Sequence, residues 1–299
     1  MTTNQTANLG RHTVNRMGFG AMQLAGPGVF GPPRDPDAAR AVLRRAIELG
    51  VDHIDTSQYY GPNVVNELIR EALAPYPDGL RVVSKVGAKR DDAGAWLPAQ
   101  RPEELRAGVE ENLATLGVES LAAVNLRLLD GGESPTVPLA EQLGTMEDLR
   151  REGKIEGVGI SNADRATVEE ALELVDLVCV QNAFSIVQRD SQDVLDLCIE
   201  RDIAFVPFFP LGSAFTGGPG AIAADAHVSK VAAKHGVTTS QVALAWLLHR
   251  DPRILLIPGT SSVAHLEENM GAAAVSLDEE DMASLDQVRQ SGDPLEAAH

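Results

Sequence analysis

Gly50-Val51-Asp52-His53-Ile54-Asp55-Thr56-Ser57-Gln58-Tyr59-Tyr60-Gly61 carries the chain from the end of one helical pattern through a short strand into a polar turn. Upstream, Ala39, Val42, Leu43, Ala46 and Ile47 recur at helical spacing, and Gly50 is the residue on which such a helix stops. Residues 51–55 then read as a strand that ends at Asp55. In a βα unit, chemistry gathers at the strand's carboxyl end and in the loop beyond it. That loop here holds a carboxylate, Asp55, and two phenols, Tyr59 and Tyr60.

Working outward, the same unit repeats. Met17 to Met22 reads as a strand before the first helix, and a helix over about 63–74 follows the second strand. Strand 81–86 leads through a loop with Trp96 to a helix opened by Pro102 and ended by Gly117. Strand 121–128, helix 138–151, strand 155–160 and helix 165–174 continue it, then strand 177–181, helix 190–201 and strand 203–207. A glycine-rich loop, 209–224, is too long for a simple connection and reads as a lid or clasp. A helix then ends at Gly236. Thr238-Thr239-Ser240-Gln241 has a capping-box pattern before the apolar run 242–248, and strand 254–257 and helix 262–272 close the series. Eight strands, each followed by a helix, predict an α/β fold: a (β/α)8 TIM barrel over residues 1–299 as one domain. A short N-terminal arm or hairpin over 1–15 precedes it, and Ser276-Leu277-Asp278-Glu279 opens an extra C-terminal helix.

Composition narrows the function. A hydrophobic fraction of 44% supplies a large core, and no apolar run reaches the length of a membrane span. Met1 to Arg16 is polar and lacks a signal-peptide core, so the expectation is a cytoplasmic protein without a membrane partner. The net charge of -18 argues against nucleic acid. Cys179 and Cys198 lie in apolar stretches and read as buried free thiols; no metal-ligand cluster accompanies them. Gly26-Pro27-Gly28-Val29-Phe30-Gly31 formally matches a dinucleotide fingerprint. A true one opens a helix directly, whereas here Pro32 and Pro33 intervene.

If the strands close into a barrel, Asp55, Tyr60 and Lys85 converge on one rim. Singly, a strand-end lysine snorkels to solvent and an aspartate before a turn caps it. Together they make a proton donor. A phenol near its reference pKa of about 10 is a weak acid at neutral pH. An adjacent ammonium is expected to lower that value, and a carboxylate beyond the lysine to hold it charged and aimed.

The chain resembles the aldo-keto reductase superfamily over nearly its whole length. The resemblance rests on Asp55-Thr56-Ser57-Gln58-Tyr59-Tyr60-Gly61, on Lys85 in Val83-Ser84-Lys85, and on Gly157-Val158-Gly159-Ile160-Ser161-Asn162. Val180-Gln181-Asn182, Pro207-Phe208-Phe209-Pro210-Leu211-Gly212, and Ile257-Pro258-Gly259-Thr260 through Glu268-Asn269 complete the ordered set. It implies an NADP-dependent reductase of small-molecule aldehydes or ketones, with Tyr60 as general acid supported by Asp55 and Lys85. Ser161, Asn162 and Gln181 match groups that hydrogen-bond the nicotinamide carboxamide, and Phe208 stands where a tyrosine usually stacks on the ring. Pro210, Leu211, Gly212 and Ser213 belong to the loop that clasps the pyrophosphate. Pro258, Gly259, Thr260, Ser261, His265, Glu268 and Asn269 match the region that grips the adenosine end. Met22, Gln23, Tyr59 and Trp96 are expected to line the substrate pocket, with Phe209 a further candidate, and a monomer or weak homo-oligomer is expected.

Two departures stand out. Arg127 occupies the position of the family's fourth-strand histidine, with Asn125 on the same strand face. Arginine cannot relay a proton at neutral pH, but it can position a substrate oxygen. At the adenosine end, Gly259 and His265 replace the lysine and arginine that many members aim at a 2′-phosphate, so NADPH is the implied cofactor with NADH as the alternative. The Asn-Leu-Arg strand is similar to that of a bacterial subgroup containing pyridoxal reductases, which implies reduction of pyridoxal to pyridoxine. A specialised biosynthetic ketone or sugar, and a non-catalytic NADP(H)-binding barrel, are the rival readings.

Overall fold

The structure, a computed structural model, describes residues 5–129, 137–213 and 216–290. An antiparallel hairpin, β1 (Thr6–Leu9) and β2 (His12–Asn15), comes first. β3 (Phe19–Gly20), α1 (Pro36–Glu48), β4 (His53–Asp55), α2 (Val64–Leu73) and β5 (Arg81–Arg90) follow. Next come β6 (Trp96–Ala99), α3 (Pro102–Leu116), β7 (Ala123–Arg127), α4 (Leu139–Arg151) and β8 (Val158–Ser161). The chain continues with α5 (Arg165–Leu174), β9 (Leu177–Gln181), α6 (Gln192–Arg201) and β10 (Ala204–Phe205). Five helices close it: α7 (Gly218–Ala224), α8 (Ala226–His235), α9 (Thr239–Arg250), α10 (Val263–Gly271) and α11 (Glu279–Leu285).

Local chemistry sets the helix boundaries. Asp35 accepts from the Ala38 amide ahead of α1, and Asp164 from the Thr167 amide ahead of α5. Thr238 and Gln241 form the expected capping box at α9, and Asp278 opens the expected last helix. Gly117 ends α3 in the left-handed conformation.

The strands pair in parallel in the order β3-β4-β5-β7-β8-β9-β10. Residues 254–256 close the ring: Ile254 bridges Phe205, and Leu256 bridges Met17 through hydrogen bonds to Arg16 and Gly18 of 2.8 Å each. This is the predicted (β/α)8 barrel. Its outer sheet face presents Ile54, Val86, Val124, Leu126, Ile160, Val180 and Phe205 to the helices. Its interior is narrow, filled by Val83, Ala123, Cys179, Ala204, Val206, Leu255 and Ile257. The hairpin, leading straight into β3, packs Leu9 and Val14 against these residues and plugs the mouth opposite the strand carboxyl ends. Both cysteines are buried and free, and burial pushes each thiol up to about 12. Among the described residues no helix is long and apolar enough to cross a membrane.

Three stretches differ from the sequence expectation. β5 does not stop at the rim but runs on to Arg90 and pairs antiparallel with β6, so Trp96 lies on a strand, not in a loop. The departure from the barrel comes at Gly87 (φ +103°), where a Cβ would lie 2.4 Å from the Arg127 carbonyl oxygen. The strand expected over 17–22 is cut to Phe19–Gly20 by a 3-10 turn, Ala21–Leu24. Part of the expected loop 209–224 is the short helix α7; positions 214–215 of that loop lie outside the described residues, as do residues 1–4 of the expected arm and residues 130–136 and 291–299.

Candidate active site

Parallel register assembles the rim in two levels. Lys85 pairs with Asn125, Asn125 with Gly159, and Gly159 with Cys179. Two residues further along, Arg127 pairs with Ser161 and Ser161 with Gln181. Period-two alternation turns both levels to the barrel interior. Gly159 makes room for the lower one, since a Cβ there would lie 2.2 Å from Asn125 Oδ1 and 2.7 Å from Cys179 Sγ.

Asp55, at the end of β4, accepts a short hydrogen bond from Lys85 Nζ on one carboxylate oxygen and one of 2.9 Å from Gln181 Nε2 on the other. Lys85 Nζ also donates to the Thr56 carbonyl oxygen at 3.2 Å. Both members of the ion pair are 4% exposed. An ammonium so placed is aimed, not free to snorkel. Removing either partner would leave an uncompensated buried charge, at a cost of about 3–5 kcal/mol.

Tyr60 lies above this pair, with Lys85 Nζ 5.1 Å from its ring centroid. Gly61 permits the turn: its φ is +79°, and a Cβ would sit 2.8 Å from Val64 Cβ. The expected acidification of Tyr60 by Lys85 is not what the arrangement produces. Burial pushes the phenol above its ordinary value, the Asp55 charge pushes it further, and Arg127 draws it part of the way back. The physical reason is that the phenol is buried and the Asp55 carboxylate, not the ammonium, dominates the field at its oxygen. Tyr60 is therefore a firmly protonated donor.

Tyr59, also buried, packs edge-on between Tyr60 (5.3 Å) and Trp96 (5.4 Å). The Arg90 guanidinium lies 4.1 Å over Trp96 and bonds the carbonyl oxygens of Gly28, Val29 and Gly94, tying the β5–β6 extension to the loop after β3. Met22 is half-buried on the 3-10 turn. Gln23 is exposed and borders Gly259.

Arg127 Nη1 donates to Ser161 Oγ at 3.1 Å, and its guanidinium lies 4.7 Å over the Phe208 ring. Phe209 (φ +55°) packs edge-on against Phe208, and Pro210, Leu211, Gly212 and Ser213 follow, with Thr216 Oγ1 accepting from the Ser213 amide at 2.8 Å. Asn162 (φ +61°) is exposed and donates to the Leu128 carbonyl oxygen. Buried Thr260 accepts from the Ser262 amide at 3.1 Å, and Ser262, not Ser261, caps α10. His265 is exposed, Asn269 buried, and Glu268 already accepts from Thr238 Oγ1 at 2.7 Å. Pro258 is buried beside Gly259, whose Cβ would lie 2.4 Å from the Gly20 carbonyl oxygen.

Sequence reading missed what holds the β4–α2 loop. Asn112 on α3 accepts from Asn66 (2.9 Å) and Ser84 (2.6 Å) and donates to Gln58 (2.8 Å); Ser57 donates to the Lys85 carbonyl oxygen and Thr56 to Asn66. All six side chains, from Thr56 to Asn112, are buried. The available signal was polar residues at apolar helical positions: Asn112 shares the stripe of Leu105, Val109 and Leu116.

A parallel barrel whose rim sets a buried ammonium–carboxylate pair against a protonated phenol has the equipment for interconverting carbonyls and alcohols. The chain belongs to the aldo/keto reductase family, whose model matches residues 16–290, and so to the nicotinamide-dependent oxidoreductases of that chemistry. It is 49% identical to pyridoxine 4-dehydrogenase of Escherichia coli over 95% of this chain and 98% of that one. It is 41% identical to an uncharacterized oxidoreductase of Schizosaccharomyces pombe over 96% of this chain and 91% of that one. Among solved structures, a thermostable aldo-keto reductase in complex with the inhibitor epalrestat superposes with a TM-score of 0.79 at 29% identity, covering 95% of this chain and 99% of that one. A Klebsiella pneumoniae aldo/keto reductase in complex with NADP and acetate gives 0.78 at 25% identity, covering 97% and 99%.

Proposed function

We propose that this chain reduces an aromatic aldehyde of the pyridoxal type to its alcohol with NADPH, and catalyses the reverse oxidation when alcohol and NADP accumulate. The single observation that carries the reading is the Lys85–Asp55 pair buried against the Tyr60 ring. The relative named pyridoxine 4-dehydrogenase supports the substrate class.

The residues present fit a nicotinamide. Gln181 Oε1 is fully buried and has no hydrogen-bond partner among the described residues, and a carboxamide N–H is the kind of donor such an acceptor requires. Ser161 and Asn162 flank it, and Phe208 offers an aromatic face. The loop 210–213 and the segment from Pro258 to Asn269 would take the pyrophosphate and adenosine. Arg127 now holds both the Ser161 hydroxyl and the Phe208 face, so a ring docking there requires the guanidinium to give up those contacts. When bound, the reduced cofactor supplies the hydride. Tyr60 gives its proton to the carbonyl oxygen as the carbon is reduced, so one hydride and one proton yield the alcohol. The Arg127 charge, which draws Tyr60 down against burial, favours the phenolate left behind, and Asp55 keeps Lys85 oriented beneath the ring. Gln181 would link the two sites, since it holds Asp55 through Nε2 and keeps its Oε1 unpartnered among the described residues for the carboxamide.

The test is NADPH oxidation followed with pyridoxal. Wild-type protein should turn it over, and Tyr60→Phe should lose at least about a hundredfold in kcat while its Kd for NADPH stays within about twofold. A protein that binds NADPH but leaves it unoxidised with every aldehyde offered is the non-catalytic barrel instead.

A further inference from the structure

Arg127 carries a charge that the proton-transfer set leaves unused. Among the described residues, no carboxylate forms an ion pair with it; its guanidinium meets one hydroxyl and one ring face. Arg40, Arg45, Arg106, Arg150, Arg165 and Arg253, by contrast, lie on the outer surface and pair with Asp or Glu. Asp55, the carboxylate of the site, is committed to Lys85 and Gln181. Arg127 is half-buried, and its field reaches the phenol end of both Tyr59 and Tyr60, drawing each down against the effect of burial.

We propose that Arg127 selects aldehydes that carry an ionised oxygen on the ring carbon next to the carbonyl-bearing carbon, by pairing its guanidinium with that oxygen. The carbonyl oxygen and the phenolate oxygen then lie side by side, and a planar guanidinium presents a fork of N–H donors with matching directions. A lysine or imidazole at this position would offer a point charge or a single donor. The pairing desolvates no unmatched charge: the substrate anion supplies the opposite charge that no described carboxylate gives Arg127. It also fixes the orientation: with the fork on both oxygens, the carbonyl oxygen keeps a second lone pair for the Tyr60 hydroxyl. The hydroxyl beside the carbinol of pyridoxine has this arrangement. The proposal deepens the reading of Tyr60 as proton donor to an aromatic aldehyde, and rests on it.

Salicylaldehyde and 2-methoxybenzaldehyde, the second unable to ionise, separate the two claims. With NADPH, wild-type protein should favour salicylaldehyde in kcat/KM. Arg127→Met should lower the salicylaldehyde to 2-methoxybenzaldehyde ratio about tenfold, and Arg127→Lys should recover part of it. A second readout needs no turnover. With NADP present, the phenolate absorbance of bound salicylaldehyde should titrate at lower pH than the free compound in wild-type protein, and return to the free value in Arg127→Met. An unchanged ratio in Arg127→Met, with both aldehydes still reduced, overturns the proposal and leaves the proposed reaction standing. If wild-type protein reduces no aldehyde, the proposed reaction fails, and the absorbance titration alone decides whether Arg127 binds the ionised oxygen.

Discussion

His265 is exposed on the first turn of α10, where Ser262 already caps the backbone and accepts from the His265 amide. A single imidazole there offers a 2′-phosphate less than a guanidinium fork would, so His265→Arg should favour NADPH by roughly 1 kcal/mol, about fivefold in KM, with NADH changed less than twofold. Initial rates with the two cofactors measure it, and equal shifts would show that the side chain does not face the ribose phosphate. At this scale much of the site could be read in advance. Asp55, Tyr60 and Lys85 stand at strand ends, and barrel geometry alone brings strand ends together. The acidity of Tyr60 could not be read, because its sign depends on burial and on which charge Asp55 neutralises.

Between α2, α3 and the β4–α2 loop, Asn112 bonds Asn66, Ser84 and Gln58 in a region without water access. Asn112→Leu keeps the branched outline but strands several buried polar groups at once, so it should destabilise by about 3 kcal/mol in denaturant unfolding. Because Gln58 lies two residues before Tyr60, kcat should fall as well, with NADPH affinity retained. A variant as stable and as active as wild type would make the network incidental. The helices themselves were legible from apolar spacing and caps. The network's pairings were not, since Asn112 meets partners 28 to 54 residues away. The β5–β6 extension escaped notice for a related reason: Gly87 is open to many conformations, and only the Arg127 carbonyl oxygen from the neighbouring strand shows which one it needs.

Across the whole molecule, the eightfold alternation of strand and helix patterns was enough to give the barrel, because a short parallel strand must be followed by a crossover. The closure through residues 254–256 and the plug by Leu9 and Val14 are properties of the ring, not of any local pattern. The ring matters to function because it buries one ion pair and one phenol together. The account therefore turns on the protonation state of Tyr60, raised above its ordinary value by burial first and Asp55 second. A raised phenol pKa keeps the donor form present at every pH below it, so reduction should not weaken across the neutral range. The most direct measurement is the single-turnover rate of aldehyde reduction at saturating NADPH between pH 6 and about 9. The account predicts a flat profile. A rate that falls through a midpoint near neutrality would contradict it and assign the proton to a group other than Tyr60.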